Sequence, residues 1–227
     1  MATSSSIDYS LTAREIIEYA LQKINILAKG ESATARHSDG ALRELNMMLK
    51  EWMIYPAIWR RVAGSATPTA STASISIASS VNPYRIIACR YRNASSIDLP
   101  MTELTHEEYY DLPNKTVTGI PTQWYFEPTR STNTLYIWPL LSSVSTETIR
   151  YTYQRRFEDV DDLANEVDVG QEWLSTVGLN LAGRLADDYG RKGEHINRIV
   201  ARAEALFERM QDADRPEMVR MVPGYGY

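Results

Sequence analysis

The chain has 227 residues, enough for one or two domains with a sizeable core, and its 44% hydrophobic and 23% charged residues are ordinary globular composition. A formal net charge of -5 with no compensating run of Lys or Arg excludes a protein built to grip nucleic-acid phosphate. No apolar window approaches the ~18 residues of a membrane span, residues 1–6 lack the character of a secretion signal, and the lone Cys89 can form no internal disulfide, so the expectation is a soluble protein made in a reducing cytoplasm.

Thr12 and Glu15 have the spacing of a capping box, so the first helix is predicted to open there, bury Ile16, Ile17, Ala20, Leu21, Ile24, Leu27 and Ala28, and close at Gly30. Tyr19 and Ile26, seven residues apart, point away from that stripe. A second helix is predicted to begin between Ser32 and Gly40 and to end at Tyr55 before Pro56, with Leu42, Leu45, Met48, Leu49 and Trp52 inward. Met47 and Ile54 form a second heptad-spaced pair on its other side. Two helices with second apolar faces suggest contact with a neighbouring subunit, although isolated exposed apolar residues are also normal.

From Trp59 the texture becomes Ser/Thr-rich and then alternating, which predicts strands at Trp59 to Val62, Ser74 to Ala78, Arg85 to Arg92, Gln123 to Phe126, Thr134 to Trp138 and Thr148 to Gln154. In the last, Ile149, Tyr151 and Tyr153 oppose Arg150, Thr152 and Gln154, the pattern of a half-buried antiparallel strand. Thr105 and Glu108 make a second capping-box signature, and Cys89 within Ile86-Ile87-Ala88-Cys89 reads as a buried structural thiol. The acidic stretch from Phe157 to Gly170 then leads to two more helices, Glu172 to Tyr189 and Glu194 to Met210. The first carries Leu174, Leu181 and Leu185 beside the small Gly178 and Ala182, and the second a stripe of Ile196, Ile199, Val200, Ala203, Leu206, Phe207 and Met210. Arg184 and Asp188 are spaced as an intrahelical ion pair.

The expected fold is therefore α+β: a four-helix domain of two antiparallel hairpins (1–58 and 157–211), an inserted antiparallel β domain (59–156), and an extended C-terminal tail (212–227). Pro223-Gly224 forbids helix in the tail, whose apolar Met218, Val219, Met221, Val222, Tyr225 and Tyr227 alternate with Arg220 and the glycines.

Signs of catalysis are weak. There is no nucleotide, zinc-protease or nucleophile-elbow motif. His37, His106 and His195 belong to separate elements, and the carboxylate pairs Glu107-Glu108, Asp161-Asp162 and Asp187-Asp188 are sequence neighbours on polar stretches. The expectation is no catalytic residue, no cofactor and no metal. Trp124, Tyr125 and Trp138 could form a sugar or base platform, but aromatic residues at strand spacing are more often core.

Certain segments carry a resemblance: Leu27-Ala28-Lys29-Gly30 at the close of the first helix, Met47-Met48-Leu49-Lys50-Glu51-Trp52 at the close of the second, Gly119-Ile-Pro-Thr-Gln-Trp-Tyr with Leu135-Tyr-Ile-Trp-Pro139, and Glu172-Trp173 followed by Ala182-Gly183-Arg184-Leu185-Ala186. In these, and in the order of its parts, the chain resembles the head-to-tail adaptors of short-tailed bacteriophages, the tail accessory and tail tubular group. The resemblance implies a structural virion protein at the head-tail junction, made in the host cytoplasm. It further implies a homo-oligomeric ring of twelve subunits that binds the portal protein and other tail proteins and prolongs the DNA channel, so that DNA passes without sequence-specific binding. Membrane contact is not expected. On this reading Tyr19, Ile26, Met47 and Ile54 are subunit contacts, and Met218, Val219, Arg220, Met221, Val222, Tyr225 and Tyr227 dock on the portal. The alternatives are a tail-associated module that recognises sugar or protein through its β domain, and a cell-envelope hydrolase.

Overall fold

The computed structural model describes residues 7–55, 60–77, 82–129 and 132–213. Trp59, Ala78 and the whole of the expected docking segment from Met218 to Tyr227 lie outside the described residues. The chain divides into two compact units, one formed by Met1–Ile58 with Phe157–Tyr227 and the other by Trp59–Arg156.

In the first unit, α1 (Ala13–Lys23) begins with Thr12 and Glu15 in a reciprocal capping box. The Thr12 amide donates to Glu15 Oε2 at 2.8 Å, and the Glu15 amide donates back to Thr12 Oγ1 at 3.4 Å. The helix buries Ile16, Ile17, Ala20 and Leu21, but it stops a turn earlier than its apolar stripe suggests. Asn25 takes φ 57, the left-handed conformation that a helix cannot continue through. Ile24 and Leu27 remain buried although only Ile24, as C-cap, still belongs to the helix end. α2 (Ala35–Glu51) continues into a 3-10 turn at Trp52–Ile54. Leu45, Met48, Leu49 and Trp52 are buried as the pattern requires, while Leu42 is only half-buried.

The stretch after Phe157 is tied down by α2. Asn46 clamps Val160 through both backbone groups, donating to its carbonyl and accepting from its amide, each at 2.9 Å. Lys50 donates to the Phe157 carbonyl at 2.8 Å and pairs with Asp159. A 3-10 turn at Gln171–Trp173 leads into α4 (Leu174–Asp188). This helix is buried along much of its length because α1, α2 and α5 (Glu194–Ala213) all pack on it. Gly190, at φ 61, ends α4; the Arg191 amide returns to the Ala186 carbonyl at 2.7 Å and the Gly190 amide to the Asp187 carbonyl at 3.0 Å, a Schellman cap. α5 itself buries only Ile199 and Ala203; Ile196, Val200, Leu206, Phe207 and Met210 stay half-exposed along a wider strip.

The second unit holds a seven-stranded sheet of β1 (Arg61–Ala66), β2 (Ser74–Ile77), β3 (Arg85–Arg92), β4 (Asp98–Glu103), β5 (Gln123–Pro128), β6 (Asn133–Trp138) and β7 (Thr148–Gln154). Its strand order is β1-β7-β3-β4-β5-β6-β2. All neighbours run antiparallel except β4 and β5, which run parallel and share only Thr102 with Gln123 and Glu103 with Trp124. The sheet is curled into a half-barrel. Its core holds Ile75, Ile86, Cys89, Trp124, Leu135, Ile137, Ile149 and Tyr151. The short helix α3 (His106–Tyr110), again opened by a capping box from Thr105 and Glu108, lays Tyr109 on Tyr125 and Tyr136 of the outer sheet surface.

These findings overturn the expected fold class. A mixed, curled seven-stranded sheet with five α-helices is not a four-helix domain carrying an inserted antiparallel β domain. The discrepancy has a local cause in β4. Its residues are exposed but for Met101 and it contains Pro100, so it shows neither alternation nor β-branched enrichment, yet it joins the two halves of the sheet.

Candidate functional site

A groove of about 780 Å³ lies over α4. Asn180, Gly183, Arg184, Ala186 and Asp187 of α4 line it, with Glu44 of α2 on one side and Ile196, Val200, Ala203 and Glu204 of α5 on the other. Small side chains form it: at Gly183 a Cβ would lie 3.4 Å from Val200 Cγ2, so helices α4 and α5 meet closely below the groove. Its residues are equally matched in kind, an apolar strip between charged rims. Glu44, Asp187, Asp188 and Glu204 face Arg184, Arg191 and Lys192.

Arg184 is already engaged. Its Nη1 donates to Glu51 Oε1 at 3.2 Å and its Nη2 to Glu51 Oε2, a bidentate pair across α4 and α2. The hydrogen bond from Arg184 holds the Glu51 carboxyl below its ordinary range. This corrects the expected Arg184–Asp188 pair: the helical spacing was suitable, but a carboxylate on a neighbouring helix offers the planar guanidinium a two-pronged partner. With Arg184 taken, the rim is left with four carboxylates against Arg191 and Lys192.

A second hollow of about 450 Å³ adjoins the first at Arg184 and is lined by Glu51, Trp52, Ile54, Tyr55 and Phe207. Here the floor is aromatic. Trp52 and Phe207 have ring centroids 4.7 Å apart, Tyr55 meets Phe207 edge-on at 5.2 Å, and Trp173 closes the cluster at 5.9 Å from both Trp52 and Phe207. Such packing anchors the end of α5 on the end of α2.

The four expected contact residues differ in exposure. Met47 (44% exposed) and Ile54 (66% exposed) stand open on α2 and its 3-10 extension, Ile54 at the rim of the aromatic hollow. Ile26 is half-buried in the turn after α1. Tyr19 lies against Gly178 of α4, with Lys23 over its ring at 4.9 Å. Sequence reasoning named neither the groove nor Arg184–Glu51; the small residues Gly183 and Ala186 were visible, but which helix would stand on each side was not.

The residues considered for catalysis are dispersed. His37 Nδ1 meets the Tyr189 hydroxyl at 2.5 Å, His195 Nε2 lies 2.8 Å from the Lys23 carbonyl, and His106 stacks on Tyr110. Glu108 is held below its ordinary range by hydrogen bonds from Thr105, the work of a cap. Asp161, Asp162, Asp187 and Asp188 are exposed. Trp124 is core, and Trp138 donates its indole N–H to the Asn114 carbonyl at 3.0 Å. Among the described residues no cluster of three His, Cys, Asp or Glu could hold a metal ion, and no helix is long and apolar enough to cross a membrane.

No protein family and no curated protein matches the chain. Among solved structures it has a distant likeness to a chain in the "Neck of empty GTA particle computed with C6 symmetry", a gene transfer agent. That likeness has 11% identity and a TM-score of 0.30, and it covers 84% of this chain and 93% of that one.

Proposed function

We propose that the protein is a structural component of a virion, a head-to-tail adaptor whose copies assemble as a ring on the portal and give the tail its platform. The observation that carries this reading is the open apolar face at the end of α2. Met47 and Ile54 are exposed there, Ile54 at the rim of an aromatic hollow, where a monomer gains nothing by presenting them to water. A rotational ring needs two different complementary patches on each subunit, a projecting one and a receiving one. Ile54 and the hollow around Phe207 lie on one face, which supplies one of these two patches, and the second patch belongs elsewhere on the subunit. The sequence resemblance to phage adaptors supports the same reading, as does the acidic balance of the chain, which suits a channel wall along which DNA must slide. In this proposal Tyr19 and Ile26 are secondary contacts, and residues 218–227 dock on the portal. Twelve copies are the number that the resemblance implies.

The test is Ile54→Asp. Surface changes of this kind move stability by about 0.5 kcal/mol or less, so the variant should melt with the wild type yet fail to join the portal in a pull-down. Unimpaired joining by a folded Ile54→Asp protein contradicts the proposed face.

A further inference from the structure

We infer that the chain pairs with a second copy of itself through the two edges of its sheet, β1 of one copy against β2 of the next. The strand order leaves β1 and β2 as edges, with no strand among the described residues on their outer sides. The ladder bonds decide which backbone groups face outward. The Arg155 amide donates to the Arg60 carbonyl at 2.9 Å, so in the β1–β7 register Val62, Gly64 and Ala66 point to β7, and Arg61, Ala63 and Ser65 point away. At the other edge the Ile137 amide donates to the Ala73 carbonyl at 3.0 Å. There Ile75 and Ile77 point to β6, and Ser74 and Ser76 point away.

Neither edge carries the devices that keep exposed strands from pairing, which are charge, proline and bulges. Residues 61–66 and 74–77 hold no proline, lysine or carboxylate, their registers are unbroken, and Arg61 is their only charge. At the outward positions Ala63, Ser65, Ser74 and Ser76 are exposed and small, so two backbones can close to pairing distance. Polarity selects the partner. Every step across the sheet reverses direction except the parallel β4–β5 seam, so β1 and β2 run in opposite senses. A copy set beside the first in the same orientation therefore lays its β2 antiparallel on β1, the more stable kind of pairing. The register that uses the outward groups sets Ala63 opposite Ser76 and Ser65 opposite Ser74, each pair exchanging both of its N–H···O bonds. On the apolar face it brings Val62 beside Ile77 and Gly64 beside Ile75. Gly64 leaves no gap there, because a Cβ on it would stand 2.5 Å from Tyr151 Cε2. A β1–β1 pair would instead set Gly64 opposite Val62 and leave β2 bare. Two different edges make a heterologous contact, which each copy offers at both ends. The inference rests on the sheet alone and needs neither the portal nor the face around Ile54.

The experiment mixes two full-length variants, Ala63→Cys and Ser76→Cys, one of them carrying a size tag, and oxidises the mixture. Opposed residues of a hydrogen-bonded antiparallel pair have Cα atoms about 5.5 Å apart, within the range that a disulfide bridges. Native Cys89 is buried and leaves the assay clean. The dimer joining position 63 to position 76 should form at least tenfold faster than the 63–63 or the 76–76 dimer. A statistical mixture of the three, a dominant 63–63 product, or no dimer at all would overturn the inference. As a second readout, Ser74→Pro in the Ser76→Cys chain removes an outward N–H at the first residue of β2, where a strand tolerates proline. It should keep the melting temperature and slow the 63–76 product at least tenfold, whereas Ser74→Ala should not. Undiminished joining by a folded Ser74→Pro chain would also overturn the pairing. No portal enters the experiment, so its outcome is separate from that of Ile54→Asp.

Discussion

The ring of Tyr19 fills the space that a side chain at position 178 would need: a Cβ on Gly178 would lie 2.7 Å from Tyr19 Cδ1. This contact lets α1 and α4 approach closely, and it explains why a glycine is kept in the interior of a helix despite its cost of up to about 1 kcal/mol there. Gly178→Ala should therefore be destabilising. Overpacking costs about 1–3 kcal/mol against a propensity gain of about 1, a net loss of up to roughly 2 kcal/mol in urea unfolding. Gly40→Ala in α2 is the contrast. Nothing lies within 4 Å of a Cβ there, so the substitution should stabilise by about 0.5–1 kcal/mol. Equal effects at the two positions would mean that Tyr19 does not rest on α4.

Acid should weaken the protein in a defined window. Arg184 depresses the Glu51 carboxyl through its hydrogen bonds, and Thr12 does the same for Glu15 through its backbone amide. A carboxyl lowered in the folded state stabilises fully above its unfolded value, 4.5 for both, and loses that contribution as pH falls through the folded value. Both groups are well exposed, so the effect of each is small. The Glu51→Gln variant should show a shallower loss of melting temperature below pH 4.5 than the wild type; parallel curves would contradict this.

Cys89 should be silent in the native state. Burial pushes its thiol up to about 12, so almost no thiolate exists at pH 8 and the sulfur is shielded. A disulfide reagent should find no reactive thiol in the folded protein and one in urea. Fast reaction without denaturant would show that the curled sheet opens around β3.

The carboxylate pairs should be dispensable. Amide replacement of Glu107, Glu108, Asp161, Asp162, Asp187 and Asp188 in turn should leave assembly intact, with at most a modest stability loss where Glu108 caps α3. A variant that assembles but loses measurable cleavage of peptidoglycan would instead favour the hydrolase reading.

Local signals in the sequence were legible where a few neighbouring residues decide the outcome. Thr12 with Glu15 and Thr105 with Glu108 form the capping boxes that their spacing predicts, and β3 and β7 begin and end where the alternation does. Outcomes set by distant partners were not. Arg184 chose Glu51, 133 residues away, over Asp188 one turn along. Tyr19, on the side of α1 away from its main buried stripe, met a glycine that no wheel of α1 contains. β4 gave no periodic signal because its pairing on both sides, not its side chains, holds it in the sheet. The groove was illegible for the same reason: its floor and walls come from three helices separated in sequence, joined only when α2 and α5 both settle on α4.

The central claim, that copies of this chain join a portal as a ring, is tested most directly by light scattering coupled to size exclusion on the wild-type protein mixed with the portal of the same virus. The account predicts a complex whose mass exceeds the portal's by several copies of a 25.8 kDa chain. Two separate peaks, each with the mass of its component alone, would contradict it.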